Sequence, residues 1–338
     1  MKTSVIILNW NGASMIRKFL PSVVANTPDA EIVVADNGST DESLQMLASE
    51  FPDVRIVPLD KNYGFAEGYN KAIAAVECEY VVLLNSDVEV PEGWLKPMVE
   101  YMDANADIVA CQPKLLAYHN KKCFEYAGAA GGYIDCFGYP YCRGRLFGVV
   151  EEDHGQYDSI KDIHWATGAC MLVRRKTYME CGGLDSHFFA HNEEIDLCWR
   201  MRLLGYRIVC IPESKVYHVG GGTLPQGNPR KTYLNFRNNL TMLYKNLPDR
   251  DLQRIMLWRF ILDYIAMAQY LAKGCLGDVK AVLKARRDYS RWKKEYKPIR
   301  ESIQASAVGG DSALSPFSVL WQFYARRRKY FSMLPSHK

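Results

Sequence analysis

Polar residues suited to holding a charged ligand recur in this chain wherever a short apolar run has just ended. Asn9-Trp10-Asn11-Gly12 follows Val5–Leu8, and Asp36-Asn37-Gly38-Ser39-Thr40-Asp41 follows Ile32–Ala35. Asn62-Tyr63-Gly64-Phe65 follows Val54–Val57, and Asn85-Ser86-Asp87 follows Tyr80–Leu84. Far along the chain, His218 ends Val216-Tyr217-His218 and precedes Gly220-Gly221-Gly222. Such residues also make ordinary turns, but several sets delivered to one edge could surround a polar ligand. Neither G-x-G-x-x-G after a strand nor G-x-x-x-x-G-K-[ST] occurs, which removes support for a dinucleotide cofactor or a P-loop. An anionic ligand here would need a divalent metal to neutralise it. A second acidic group, Glu193-Glu194-Ile195-Asp196, opens a helical pattern running to Leu204. Carboxylates there can decorate a first turn, where the helix dipole is expected to keep them ionised, or act as a general base.

The elements that must position these residues follow from periodicity. Strand-like runs at 5–8, 32–35, 54–57 and 80–84 alternate with helices expected at 13–26, from Ser39/Thr40 onward, and at 68–76. Continuous apolar strands between helices imply a parallel sheet covered on both faces, and such sheets bind ligands beyond the carboxyl ends of their strands. Residues 111–165 show little periodicity and are rich in Gly and Tyr, from Gly128 through Tyr133 and Tyr141 to Gly144. This stretch reads either as a substrate-contacting loop with aromatic faces for sugars or as plain packing. Strands return at 169–173 and 206–211, and Gly182-Gly183-Leu184-Asp185 reads as a turn.

The chain has 338 residues, enough for two or three domains, and 48% are hydrophobic. Its net charge of +4 conceals an asymmetry. Residues 1–244 carry 23 Lys/Arg against 30 Asp/Glu, whereas residues 245–338 carry 19 against 8. The ten cysteines form no C-x-x-C pair; Cys136 and Cys142 could pair, although reduced thiols are the expectation. Met1-Lys2-Thr3 leads directly into a strand, so a cytoplasmic chain is expected. In the basic tail, Ile255–Ala272 is apolar but interrupted by Arg259, Asp263 and Gln269. An amphipathic helix fits it better than a membrane span. Arg286-Arg287, Lys293-Lys294 and Arg326–Lys329, interleaved with Trp292, Trp321, Phe323 and Tyr324, suit an anionic membrane surface. No nucleic-acid fold signature accompanies them, and a helical appendage packed on the catalytic part or a second subunit is the alternative. Ser306–Ser315 reads as a linker.

In this order and at these separations the motifs resemble the family 2 glycosyltransferases of GT-A fold, in particular the bacterial rhamnosyltransferase-like branch. The resemblance covers residues 3–245 and includes Thr167-Gly168-Ala169 and Glu193–Arg200. It implies an α/β fold with a mostly parallel central sheet flanked by helices. A catalytic domain at 1–245 would divide into a nucleotide-binding half (1–110) and an acceptor half (111–245), with a basic helical extension at 246–338. It implies an inverting glycosyltransferase using a UDP- or dTDP-sugar, a divalent metal (Mn²⁺ or Mg²⁺) and a glycan acceptor, lipid-linked, for surface polysaccharide.

Asp87 would then be the main metal ligand, with Asn85 where the family pattern has Asp and His218 as the second protein ligand; imidazole suits Mn²⁺ better than Mg²⁺. Asp36 would read the pyrimidine imide, leaving helix capping to Asp41. Asn9, Asn11, Asn62, Gly68, Asn70 and Ser86 would lie at the donor, with Gly68 small to admit ligand. By position Glu194 corresponds to the base, where the family usually has Asp, and Glu193 is the fallback. Trp165, Thr167, Gly168, Trp199 and Arg200 would face donor sugar or acceptor, although Trp199 could simply pack and Arg200 could only brace Asp196. Peripheral attachment at the inner face of the cell membrane and a homodimer are further expectations. The alternatives are a nucleotidyltransferase and a nucleotide-sugar-binding protein that has lost catalysis, the latter prompted by Asn85 and Glu194.

Overall fold

The computed structural model describes residues 1–220, 227–308 and 314–335. Its first half runs β1 (Thr3–Asn9), α1 (Ala13–Asn26), β2 (Ala30–Asp36), α2 (Ser43–Glu50), β3 (Arg55–Pro58), α3 (Gly64–Ala74), β4 (Tyr80–Leu84), β5 (Val88–Glu89), α4 (Lys96–Ala104), β6 (Ile108–Ala117) and β7 (Asn120–Phe124). The second half begins with β8 (Gly132–Ile134), β9 (Pro140–Cys142), β10 (Arg145–Leu146), β11 (Val149–Val150), β12 (Lys161–Asp162), β13 (Cys170–Arg174), α5 (Arg175–Glu180), α6 (Glu193–Leu203) and β14 (Arg207–His218). Four helices follow: α7 (Pro229–Asn246), α8 (Asp249–Ala272), α9 (Leu276–Glu295) and α10 (Lys297–Ser306).

The large sheet has the order β12-β14-β6-β13-β4-β1-β2-β3. Neighbours β3, β2, β1 and β4 are parallel, as are β6 and β14, and β13 enters antiparallel between the two parallel blocks. Its strands alternate faces with the period of two expected of a pleat. Ile6, Val33, Val81 and Leu83 join the core under α3 and α6, whereas Val5, Ile7, Val34 and Val82 pack toward α1, α2 and α4. Both faces are covered, as the continuous apolar strands imply.

Three expectations about elements need correction. The second helix begins at Ser43, not at Ser39/Thr40. The Ser39 hydroxyl instead accepts from the Asn11 backbone N–H at 2.9 Å, and the Thr40 N–H donates to Asn11 Oδ1 at 2.7 Å. The third helix starts at Gly64, four residues before Gly68. Most consequentially, β6 is a ten-residue strand that runs into the stretch read as aperiodic. Every residue of it but the last is buried, including Gln112 and Lys114, so it shows neither alternation nor a clean apolar run.

The Gly/Tyr-rich stretch forms a second, four-stranded sheet, β11-β10-β9-β8. Its tyrosines are packed rather than displayed to a substrate. Tyr133 and Tyr141 are buried against the ring of Phe331, and Tyr141 also meets Phe317. The tail is tied down there by Ser315 N–H to Ile134 O (2.8 Å), Val319 N–H to Asp135 (2.9 Å) and Phe331 N–H to Glu151 (2.8 Å). Ser306–Ser315 is therefore attached at its far end, while Gly309-Gly310 lies outside the described residues. Cys136 and Cys142 are free thiols.

Candidate active site

The strand register brings the polar tips together. Asn9 is paired with Asp36 across β1 and β2, and Ile7 with Leu84 across β1 and β4. Asp36, Asn9 and Asn85-Ser86-Asp87 therefore stand side by side, with about 10 Å between the outer two strands. On the other side of β4, antiparallel β13 starts beside the end of β4, and the Asn85 N–H donates to Ala169 O at 3.0 Å. This puts Thr167-Gly168 next to Asn85. Ideal Cβ geometry at Gly168 would sit 3.8 Å from Glu194 Cβ and 3.0 Å from the Phe65 ring, so the N-terminus of α6 closes the same edge. β14 ends there too, because His218 pairs with Val88 just past Asp87.

His218 is the centre of this edge. Its Nε2 lies 3.0 Å from Asp87 Oδ1 and 3.2 Å from Asn85 Nδ2, and its Nδ1 lies 3.4 Å from Glu125 Oε2. Burial alone would lower the imidazole pKa, but the close approach of the Asp87 and Glu125 carboxylates and their charges raises it to about 10. Burial likewise pushes the Asp87 carboxyl up, and the His218 bond and charge reverse this to leave it below its ordinary value. A protonated imidazole between two carboxylates is the arrangement expected where a cation belongs. The donor chemistry fits a divalent metal: a carboxylate oxygen, an imidazole nitrogen and an amide that supplies Oδ1 on rotation. Glu125 behind the ring matches the carboxylate–histidine pairing that orients metal-binding imidazoles. Glu125 was missed in the sequence because it lies in the aperiodic segment and reaches the site only by the pairing of β7 with β6 and of β6 with β14.

The donor-side residues are stitched into one another. Asp36 accepts from Asn9 Nδ2 (3.1 Å) and from the Ser39 N–H (2.9 Å). Asn9 Oδ1 is buried without a partner among the described residues. Asp41 carries the capping: it accepts from the Ala13 N–H (3.1 Å), and so serves α1, and from the Ser43 N–H (3.0 Å) at the start of α2. Asn62 Oδ1 accepts from the Gly64 N–H (2.8 Å) and from Asn37 Nδ2 (3.2 Å), which joins the third loop to the second.

Gly68 is small for a packing reason: a Cβ would stand 2.9 Å from Leu8 Cδ2 and 3.1 Å from Asn37 Nδ2. Asn70 is consumed by the 182–185 turn, bonding Leu184 O (2.8 Å), Leu184 N (2.9 Å) and the Tyr178 hydroxyl (2.6 Å).

The α6 carboxylates differ from the first-turn expectation. Glu193 is buried, and burial, followed by the charge of Glu194, pushes its pKa well up. Burial raises Glu194 to about 7 against the lowering effect of backbone N–H groups, including that of Gly168. Burial thus outweighs the helix dipole at both. Glu194 can exchange a proton near neutrality, while Glu193, buried beside it, holds its proton more tightly. One oxygen of each is buried without a partner among the described residues. Ahead of them Phe189, His191 and Asn192 adopt φ of 65°, 72° and 69°, an unusual left-handed run for side chains of this size. It is held by Asn238, whose Nδ2 donates to the carbonyls of Phe188, Ala190 and His191 at 3.0, 2.8 and 2.8 Å.

The three larger acceptor-side candidates do not line the edge. Trp199 is fully buried and meets His164 edge-on at 5.0 Å. Trp165 is buried face-on against Gly132, where a Cβ would fall 2.0 Å from its ring, and donates to Tyr133 O. Arg200 spends its guanidinium on Asp196 (2.9 Å) and the carbonyls of Gly183 (2.6 Å) and Cys181. Thr167 is a local brace, donating to Ala127 O at 2.6 Å. Gly168 is the member of this set that stands beside Glu194. Gly221-Gly222, which follow His218, lie outside the described residues.

Comparison with known proteins agrees with this architecture. The family description Glycosyl transferase family 2 matches residues 4–181. An N-acetylglucosaminyl-diphospho-decaprenol L-rhamnosyltransferase of Mycobacterium tuberculosis is 25% identical over 231 residues, covering 63% of this chain and 75% of the relative. Rhamnosyltransferase WbbL of Escherichia coli is 24% identical over 223 residues, covering 63% and 82%. Among solved structures, GalNAc-T7 with UDP, GalNAc and Mn²⁺ superposes with a TM-score of 0.60 at 18% identity, covering 89% of this chain and 57% of that one. The mannosyltransferase PcManGT of Pyrobaculum calidifontis, solved with GDP-Man and Mn²⁺, gives 0.52 at 15% identity over 96% and 88%. With more than half of its length matched and the strand-end carboxylates on one edge, this chain belongs to glycosyl transferase family 2 and is a glycosyltransferase of GT-A fold.

Proposed function

We propose that the enzyme transfers a sugar, with inversion, from a UDP- or dTDP-sugar to a hydroxyl of a lipid-linked glycan, using a divalent cation held by Asp87 and His218. The observation that carries this reading is the array of part-buried Asp87 with buried His218 and Glu125, beside Gly168 and Glu194. A divalent cation bound there would draw off charge from the departing diphosphate as a Lewis acid. The chain's own residues do the rest. Asn9, Asp36 and Asn62 form the rim for the base and ribose, and the orphan Asn9 Oδ1 is free to accept from them. Glu194 takes the proton of the acceptor hydroxyl as its oxygen attacks the anomeric carbon from the side opposite the diphosphate. The bond to the nucleoside diphosphate breaks as the new glycosidic bond forms, and Glu194 keeps the proton.

The lipid-linked acceptor is proposed from the decaprenol-diphosphate rhamnosyltransferase relative. The test is a screen of UDP-, dTDP- and GDP-sugars with a lipid-diphosphate glycan, with Mn²⁺ or with chelator. Release of UDP or dTDP together with a lengthened glycan, lost on chelation, is the expected outcome. Pyrophosphate release from a nucleoside triphosphate would instead favour a nucleotidyltransferase, and donor binding without turnover would favour a binding protein.

A further inference from the structure

The helix α8 is built inside out. Its buried residues are Ile255, Arg259 and Asp263, one stripe at i, i+4, i+8. The buried charges satisfy one another. Arg259 bonds Asp263 Oδ1 (3.2 Å) and Asn239 of α7, and lies 4.1 Å from the centre of the Tyr139 ring; Arg286 of α9 reaches Asp263 Oδ2 at 2.6 Å. The opposite stripe faces outward and is apolar: Leu257, Trp258, Ile261, Tyr264, Ile265 and Leu271 are 39–62% exposed. A helix of a water-soluble surface has the reverse arrangement. Burying an ion pair is seldom more stabilising than burying an apolar stripe. An outward apolar face of this length therefore calls for an apolar partner.

From this we propose that the outward stripe of α8 lies in the interface of an anionic lipid bilayer, parallel to its plane. Charge selects the partner. Arg254, 66% exposed and paired with Asp251 at 2.8 Å, stands at the start of the stripe and Lys273 just after its end, and between 252 and 272 the sole acidic residue is the buried Asp263. A second surface of the same kind stands on the small sheet. Exposed Trp321 and Tyr324 adjoin Arg326–Lys329, and Tyr324 packs on Phe147 at 5.5 Å, while Trp258 of α8 packs on Phe137 at 5.5 Å. Trp and Tyr with flanking cations are the residues that settle at the headgroup level. The helix is 24 residues long and apolar enough to cross a bilayer. It lies on the surface instead, because Arg259 and Asp263 tie its middle to α7 and α9, and both charges would enter hydrocarbon if it spanned. This inference stands apart from the transferase reading, because it concerns a face remote in sequence from the strand ends and is read without turnover.

The experiment is co-sedimentation of the full chain with vesicles of phosphatidylcholine alone or mixed with phosphatidylglycerol, in lipid excess. Binding is expected to be roughly tenfold or more tighter on the anionic vesicles, in line with the attraction of a few surface cations. It should come with a blue shift of tryptophan emission. Trp258→Glu/Ile261→Glu/Ile265→Glu should lose binding and remain folded, since all three side chains are already partly in water. Met179→Glu, an exposed apolar residue on α5, should bind as wild type does. Failure of the wild type to bind either vesicle, or full binding by the triple variant, would overturn the proposal. So would a lipid-free dimer that the triple variant abolishes, which would make a second copy the partner.

Discussion

His218 and Asp87 come within 3.0 Å of each other although one ends β14 and the other follows β4. The contact exists because β5, two residues long, continues the chain past Asp87 and pairs Val88 with His218. Replacing Asp87 removes a carboxylate that is also one of the two charges raising the His218 pKa. On the proposed mechanism Asp87→Asn lowers the transfer rate roughly a thousandfold, the scale of losing several kcal/mol of charge stabilisation. Sugar transfer and Mn²⁺ binding should be measured on the same preparation. A variant with normal rate and normal metal affinity would remove Asp87 from the site.

Glu125 addresses the other ring nitrogen of His218. Glu125→Gln should let the imidazole pKa fall from about 10, since one of the two carboxylates raising it is gone. Mn²⁺ affinity should drop about 10–100-fold, as for loss of other outer partners of metal-binding histidines. Calorimetric titration with Mn²⁺ and the NMR titration of His218 report the two effects separately.

Glu194 makes the reaction depend on pH with a defined sign. With its pKa raised to about 7, the carboxylate fraction, and with it the transfer rate, should rise as pH increases through 7. Stability should move the other way. The folded state holds this proton more tightly than the unfolded chain does, so the contribution is fully present below about 4.5 and is lost as pH rises through 7. Glu194→Gln should abolish transfer, retain donor binding, and show a smaller fall in melting temperature between pH 5 and pH 8. Full turnover by the variant would displace Glu194 from the role of base.

Lys245 tests how the helical extension is coupled to α6. Its ammonium is buried and bridges Asp185 (2.6 Å) and Asp196 (2.8 Å), and Asp185 also accepts from Tyr296. Lys245→Met leaves Asp185 without its lysine and the buried Asp196 with Arg200 as its remaining cation, and should cost about 3 kcal/mol of stability. Urea unfolding measures it.

Gly132 and Gly93 form a paired stability test. At Gly132 a Cβ would enter the Trp165 ring, at 2.0 Å, so Gly132→Ala should cost about 3 kcal/mol or more. Gly93 has open space around it and φ of +73°, so Gly93→Ala should cost only about 1 kcal/mol of backbone strain. Thermal melts of the two variants should differ in this order.

Local sequence determined much of the frame. The runs at 5–8, 32–35 and 80–84 are strands because a sheet covered on both faces leaves no polar alternation, and the polar residues closing them had to fall at one edge. Asp36, Asn85, Asp87 and Glu194 were legible by this rule and by motif spacing. Distance through the fold was not. Glu125 has no short-range signature, and β6 hides Gln112 and Lys114 within a buried strand, Lys114 being paired with Asp153 at 2.8 Å. Trp199 and Arg200 have the composition of a sugar site, yet α6 turns them toward His164, Asp196 and the 181–183 carbonyls.

The same division holds in the tail. The pattern of Arg259 and Asp263 established by itself that α8 has a charged face and an apolar one. Only packing decided that the charged face points inward, because Asn239, Tyr139 and Arg286 are partners supplied by three other parts of the chain. Periodicity states which residues share a face. Which face meets water depends on what the rest of the molecule places against it, and that is a long-range property no window of sequence contains.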